Sequence, residues 1–139
     1  MQEIISQIKQ SFILEGGENI YTAFDAVPIR DKGKFFTVLS IGGYEASAPI
    51  YNADKIYMPV KAELLVTVLA PENCTQEQIY DYYALHFEAA VNKLCGLSST
   101  LKRIDISVDK NLNRLVLKAV VKLNCVKIIT RTEEAESND

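Results

Sequence analysis

"RLVLKAVVKLNCV", residues 114–126, decides the fold. Leu115, Leu117, Ala119, Val121, Leu123 and Cys125 alternate with Arg114, Lys118, Lys122 and Asn124. A period of two is that of a strand with one face on a core and the other toward water. Just upstream, "LKRIDISV" (101–108) sets Ile104, Ile106 and Val108 against Arg103, Asp105 and Ser107, and "DKNLN" (109–113) reads as a turn. The two runs form a β-hairpin.

Working toward the N-terminus, "PENCTQEQIYDYY" (71–83) opens a helix. Thr75 and Gln78 have the spacing of a capping box, in which each side chain satisfies the other residue's backbone amide. Ile79, Tyr83, Phe87, Ala90 and Leu94 step along one face, and Gly96 closes the run. Before it, residues 57–69 alternate Ala62, Leu64, Val66 and Val68 with Lys61, Glu63, Leu65 and Thr67, a strand with one wet face. "FFTVLSI" (35–41) is a strand that Gly42-Gly43 is expected to break, and "NIYTAFDAVP" (19–28) is a short strand ended by Pro28. Residues 2–14 place Ile4, Ile5, Ile8 and Phe12 on one helical face, and Gly16-Gly17 stops that helix. The order α-β-β-β-α-β-β predicts an α+β fold: a single antiparallel or mixed sheet of four to five strands with two helices packed on one face. Residues 1–130 make one domain, and the acidic stretch 131–139 is expected to be a disordered tail.

The chain has 139 residues and a net charge of −3. It is long enough to bury a core without staples. Its balance does not suit nucleic-acid binding as a main task, because phosphate contacts need a basic face. It has no apolar run long enough to span a bilayer and no signal-peptide layout, so it is expected in the cytoplasm.

Little in the sequence carries chemistry. Cys74, Cys95 and Cys125 fit neither a disulfide framework nor a zinc site and read as buried or half-buried free thiols. His86, the single histidine, would have to serve any Ser/His/Asp, Cys/His or zinc centre; it reads as a partly exposed helix residue. Glu72, Glu77 and Asp81 suit the positive end of a helix dipole. The glycine pairs match no phosphate-binding loop. No catalytic, cofactor or metal residue is therefore expected. Lys102, Arg103, Arg114, Lys118, Lys122 and Lys127 make the hairpin basic. They read as a solvated strand face that guards a sheet edge, or as a surface for an acidic partner or for passing DNA. Tyr80 and Tyr82 fall toward solvent or a partner on the helix.

Between the two strands lies "GGYEASAPIYNADKIYMPV" (42–60), with Tyr44, Tyr51, Tyr57, two prolines and few charges. It is too long for a tight turn and too apolar for solvated disorder. An extended arm that docks on a neighbouring copy accounts for it, with Pro49 and Pro59 limiting stray strand pairing.

The N-terminal helix, "NIYTAFDAVP", "FFTVLSIGGYEASAPI", the long strand, "APENCTQEQIYDYYALHFEAAVNKL" and the basic hairpin together resemble the small neck proteins of tailed bacteriophages. Over about residues 1–128 the chain looks most like the tail-terminator proteins of contractile tails and of phage-tail-like bacteriocins. The resemblance implies a structural, non-enzymatic subunit of a ring, usually hexameric, that caps tail tube and sheath growth. It implies partners in itself, in tube and sheath proteins and in a head–tail connector, and none in membrane. Such a protein assembles in the bacterial cytoplasm and ends in the particle. It places Tyr44, Tyr51, Tyr57, Arg103, Arg114 and Lys118 at subunit or tube contacts. The alternatives are a head–tail connector or tail-completion protein, a monomeric binding module, and a small hydrolase using Cys95 or His86.

Overall fold

The computed structural model describes residues 2–22, 33–94, 96–111 and 113–130. Residues 23–28 of the expected first strand, Cys95 and the expected tail lie outside them. The elements are α1 (Gln2–Leu14), β1 (Ile20–Thr22), β2 (Phe36–Ala46), β3 (Ile50–Asn52), β4 (Lys55–Leu69), α2 (Gln76–Tyr82), a π-helical turn (Tyr83–Glu88), α3 (Ala89–Asn92), β5 (Leu97–Asp109) and β6 (Arg114–Thr130). All six strands share one sheet in the order β1-β2-β4-β6-β5, with β3 also pairing β4. Only β1–β2 is parallel. The fold is the α+β arrangement expected, with β3 as a strand that the sequence pattern did not reveal.

α1 ends as its glycines require. Gly16 has φ +97, the left-handed region, and donates to the Ile13 carbonyl, while Gly17 donates to Phe12 at 2.8 Å. This is the Schellman arrangement. Phe12 packs so closely over Gly17 that a Cβ there would lie 2.2 Å from its ring. Thr75 and Gln78 make the predicted capping box at 3.1 and 2.9 Å.

The core lies between the helices and one sheet face. Leu39, Leu64, Val66, Val68, Leu117 and Leu123 meet Ile8, Phe12, Ile79, Tyr83 and Phe87 there. Aromatic contacts join the helices to each other and to the sheet end: Phe12 meets Phe87 edge-on at 5.5 Å, and Tyr82 stacks on Phe35, just before β2, at 3.9 Å. Ser11 donates to the Ala90 carbonyl, and the Tyr82 hydroxyl accepts from the Glu18 amide at 2.8 Å. Tyr82 is thus a core residue. Tyr82 and Tyr83 stand three and four residues after Ile79, on the same helical face, and both are inside.

Gly42-Gly43 does not break β2. The strand continues to Ala46 through a bulge between Ile41 and Gly43. A bulge fits an extra residue while the ladder resumes beyond it, and glycine lets the backbone pass close above Leu65. The segment read as a loop is therefore mostly β-structure: the end of β2, β3, a two-residue turn at Ala53-Asp54 and the start of β4.

Lengths then set the shape. β4 has 15 residues and β6 has 17; at roughly 3.3 Å per residue β4 alone is about 50 Å long. The helical run from Gln76 to Asn92 spans only about 25 Å at 1.5 Å per residue. The helices cover the sheet between the levels of Val60 and Leu69, and the strands run on past them.

Burial holds the Tyr82 and Tyr83 hydroxyls neutral to higher pH than usual, helped at Tyr83 by the nearby Glu88 carboxylate. A tyrosine in the unfolded chain ionises near about pH 10. Above that pH the unfolded state loses protons that the folded state keeps, so stability falls as pH rises; below it these groups contribute no pH dependence. Urea midpoints for the parent and Tyr83→Phe are expected to run parallel up to about pH 9.5, after which the parent falls more steeply. Identical slopes above pH 10 would contradict the assignment.

Candidate assembly surface

β2 from Gly43, which pairs with Val60–Glu63 at the last helix-covered level, leads into β3, the first residues of β4 and the last of β6, which run past the helices; together they form a narrow ribbon, here called the arm. Side chains alternate across a strand, so each row of the arm can be assigned to a face. Tyr44, Tyr51, Ile56, Met58 and Ile129 continue the helix-covered face of the sheet, while Ile50, Tyr57, Pro59, Val126 and Ile128 continue the other. Both rows are apolar. Tyr44, Ile50, Tyr51, Val126, Ile128 and Ile129 account for half of the large apolar side chains exposed among the described residues. Tyr51 is 64% exposed and Ile128 56%. Exposed apolar residues scattered singly are ordinary, whereas here they fall together on both faces of one ribbon. The arm's charges balance, with Glu45 and Asp54 against Lys55 and Lys127.

The arm's two edges are β6 and β3. β5 starts at Leu97, opposite Cys125, so residues 126–130 of β6 pair with β4 only. On its other side the arm ends in β3.

Of the residues singled out from the sequence, Tyr44, Tyr51 and Tyr57 come together on the arm, Tyr57 half-buried on the face opposite the other two. Tyr80 is exposed on α2, away from the arm. Arg103 and Lys118 lie on the helix-free face, where Arg103 pairs with Asp105 at 2.8 Å and Lys118 stands opposite that same Asp105. Lys102 donates to Glu63 at 2.9 Å and holds that carboxyl below its usual range. The basic hairpin is thus partly neutralised by its own sheet.

Arg114 corrects the sequence reading. It is 4% exposed, and its guanidinium donates to the Ala70 and Lys34 carbonyls while lying over the Phe36 ring at 5.6 Å. It fastens the end of the sheet farthest from the arm and is not available for a partner. His86 also has an internal role: a carbonyl can only accept, so Nδ1–H donates to Glu15 at the end of α1, 2.6 Å away. Cys74 and Cys125 are half-buried free thiols, pushed above their usual range by burial.

The pattern missed Ile50, Val126, Ile128 and Ile129. In "VKIIT" (126–130) the alternation lapses, because adjacent Ile128 and Ile129 place apolar groups on both faces. That lapse is the signal for a strand leaving the protection of its own core.

At the far end a groove of about 530 Å³ lies among Phe35, Pro71, Cys74, Tyr82, Leu85 and His86. Among the described residues, no group of three or more His, Cys, Asp or Glu side chains could hold a metal ion, and no helix is long and apolar enough to cross a membrane.

No family model matches this chain, and no curated protein matches it in sequence. Its structure is similar to a chain in the virion of a native gene transfer agent particle, with a TM-score of 0.46 and 12% identity over 88% of this chain and 93% of that one. It is also similar to the type 4 fimbrial biogenesis protein PilO from Pseudomonas aeruginosa, with a TM-score of 0.34 and 12% identity over 91% of this chain and 70% of that one.

Arg114→Ala removes two charge-assisted bonds to backbone carbonyls and is expected to cost about 2–3 kcal/mol. Lys118→Ala, on the solvated face, is expected to change stability by less than about 0.5 kcal/mol. Urea unfolding of the two variants checks this. An Arg114→Ala protein of parental stability would return Arg114 to the surface.

Proposed function

We propose that this chain is a structural subunit that closes with copies of itself into a ring, and that the ring is a tail terminator of a contractile phage tail or phage-tail-like bacteriocin. The observation that carries the reading is the arm, apolar on both faces and beyond the reach of its own helices. Cover for those two faces is assigned to other copies of the chain. A contact that joins one patch to a different patch on the next copy is heterologous and closes into a ring when its rotation permits. The resemblance to tail-terminator proteins supplies the setting: a ring on the end of a tail tube that stops tube and sheath growth, with tube, sheath and head-connector proteins as partners. In this reading Tyr44, Tyr51 and Tyr57 contact the neighbouring subunit, and Lys118 and Arg103 on the helix-free face are placed toward the tube or the next ring.

Sedimentation velocity across concentration, with and without tail tubes, tests the proposal. A discrete ring-sized species is expected. Changing Tyr44, Tyr51 and Tyr57 to Ser is expected to leave thermal unfolding cooperative and to weaken assembly by roughly 3 kcal/mol, about a hundredfold in midpoint concentration. A protein that stays monomeric at every concentration and ignores tubes overturns the reading.

A further inference from the structure

β5 leaves a step in the outer edge of the sheet. It lies beside β6 only as far as Cys125, which stands opposite Leu97. From Val126 to Thr130, β6 has β4 on one side and no strand on the other among the described residues. Edge strands are normally guarded by charge, proline or a bulge. β5 has such guards: a register shift between Leu101 and Arg103, with Lys102, Arg103 and Asp105 around it. Residues 126–130 carry one charge, Lys127, and neither a proline nor a bulge. Val126, Ile128 and Ile129 in this stretch are exposed.

We infer that the step is filled by the same five residues of a second copy, in an antiparallel β6–β6 joint with its twofold axis at Ile128. The joint goes beyond the ring reading: it uses one edge of the arm and leaves the faces to other contacts. A second copy is the occupant on three grounds. The first is length. With Ile128 opposite the partner's Ile128, Val126 stands opposite the partner's Thr130, and the incoming strand ends where β5 begins. All five positions are then paired on both copies. The second is charge. Lys127 faces the partner's Ile129 and not a second lysine. Centring the joint on Lys127 would set like charges opposite each other, which destabilises a sheet. It would also bring the partner's Thr130 to the place beside Asn124 that Ser98 of β5 already fills. Centring it on Ile129 would leave Val126 and Lys127 unpaired within the stretch. The third is apolar match. Directly opposed residues of an antiparallel pair share a face, so Ile128 meets its own copy on the helix-free face, and the aliphatic stem of Lys127 lies along Ile129 on the other. Five residues a side is small beside the roughly 20–30 of a standard interface, so the joint is weak and fills as concentration rises.

Disulfide trapping tests the joint, in a Cys74→Ser, Cys95→Ser, Cys125→Ser background whose circular dichroism matches the parent. Directly opposed residues of an antiparallel pair lie about 4.5–5.5 Å apart, within reach of a disulfide. Mild oxidation at high micromolar concentration is therefore expected to convert Ile128→Cys to a dimer and to nothing larger. Lys127→Cys alone and Ile129→Cys alone each place the two thiol-bearing residues about 8 Å apart, too far to bridge, and are expected to stay monomeric. An equal mixture of those two variants is expected to give dimers. The mixture samples the other class of ladder pair, so unsuitable disulfide geometry in one class does not hide the joint. No dimer from Ile128→Cys and none from the mixture would overturn the inference. Dimers formed equally by every single variant would show an unspecific contact and overturn it too. Ring-sized species in sedimentation without either trapped dimer would overturn the joint and leave the ring reading intact. Trapped dimers in a protein that forms no ring would sustain the joint and count against the ring.

Discussion

The pairing of β4 with β6 sets everything else. Every residue of β4, from Lys55 to Leu69, has a partner on β6, from Thr130 back to Val116. A ladder of that length is about twice as long as the helical run that packs on it. Where helices and strands overlap, alternation gives a dry face of Leu64, Val66, Ala119 and Val121 and a wet face of Glu63, Lys118 and Lys122. Past the overlap the backbone is still fully paired along β4, but the core helices no longer pack on it, and Tyr44, Ile50, Tyr51, Val126, Ile128 and Ile129 are exposed. The fold therefore consists of a closed body and an extension of the same sheet that is more exposed than the body.

The body is cross-tied at the helices and at the end of the sheet away from the arm. The end of α1 is tied to the neighbouring helical run by Ser11 to Ala90, Glu18 to Tyr82, Glu15 to His86 and to Lys93, and Phe12 to Tyr82 and Phe87. At the end away from the arm, Arg114 binds the Ala70 and Lys34 carbonyls and joins β6 to the chain segments that leave β4 and enter β2. Such a frame suits a subunit whose contacts depend on geometry. The residues with the most chemical potential, Arg114, His86 and Tyr82, are spent on the frame.

Much of the body was legible in the sequence. The 3.6-residue spacing of α1, the capping box at Thr75 and the two-residue alternation of β4 and β6 are local signals with direct physical causes, and each holds in the structure. Three misreadings share one cause, the override of local rules by pairing across the sheet. Gly42-Gly43 reads as a break but lies in a bulge, since the long β4 offers a partner on both sides of it. Residues 50–52 read as loop because three residues show no period, yet they pair with β4 around a tight turn. Arg114 reads as a solvated end of an alternating strand, but it folds over Phe36 toward two carbonyls that only the tertiary structure brings near. Tyr82 reads as solvent-facing when the helix face is stepped by fours through Ile79, Tyr83 and Phe87, yet it is the i+3 partner of Ile79 on that same face. The sticky, low-charge character of residues 42–60 is legible, whereas the β6 half of the same surface lies past Val126, where the two-residue alternation stops although the strand runs on to Thr130.

The central claim is that the arm finds its cover on other copies of the chain. Amide hydrogen exchange on the intact protein, compared between nanomolar and tens of micromolar concentrations, tests this most directly. The account predicts that protection of residues 43–60 and 125–130 grows with concentration while that of core residues such as Leu64, Val66 and Ala119 stays constant. Arm amides that exchange at one rate over the whole range, whether slow or fast, would contradict it.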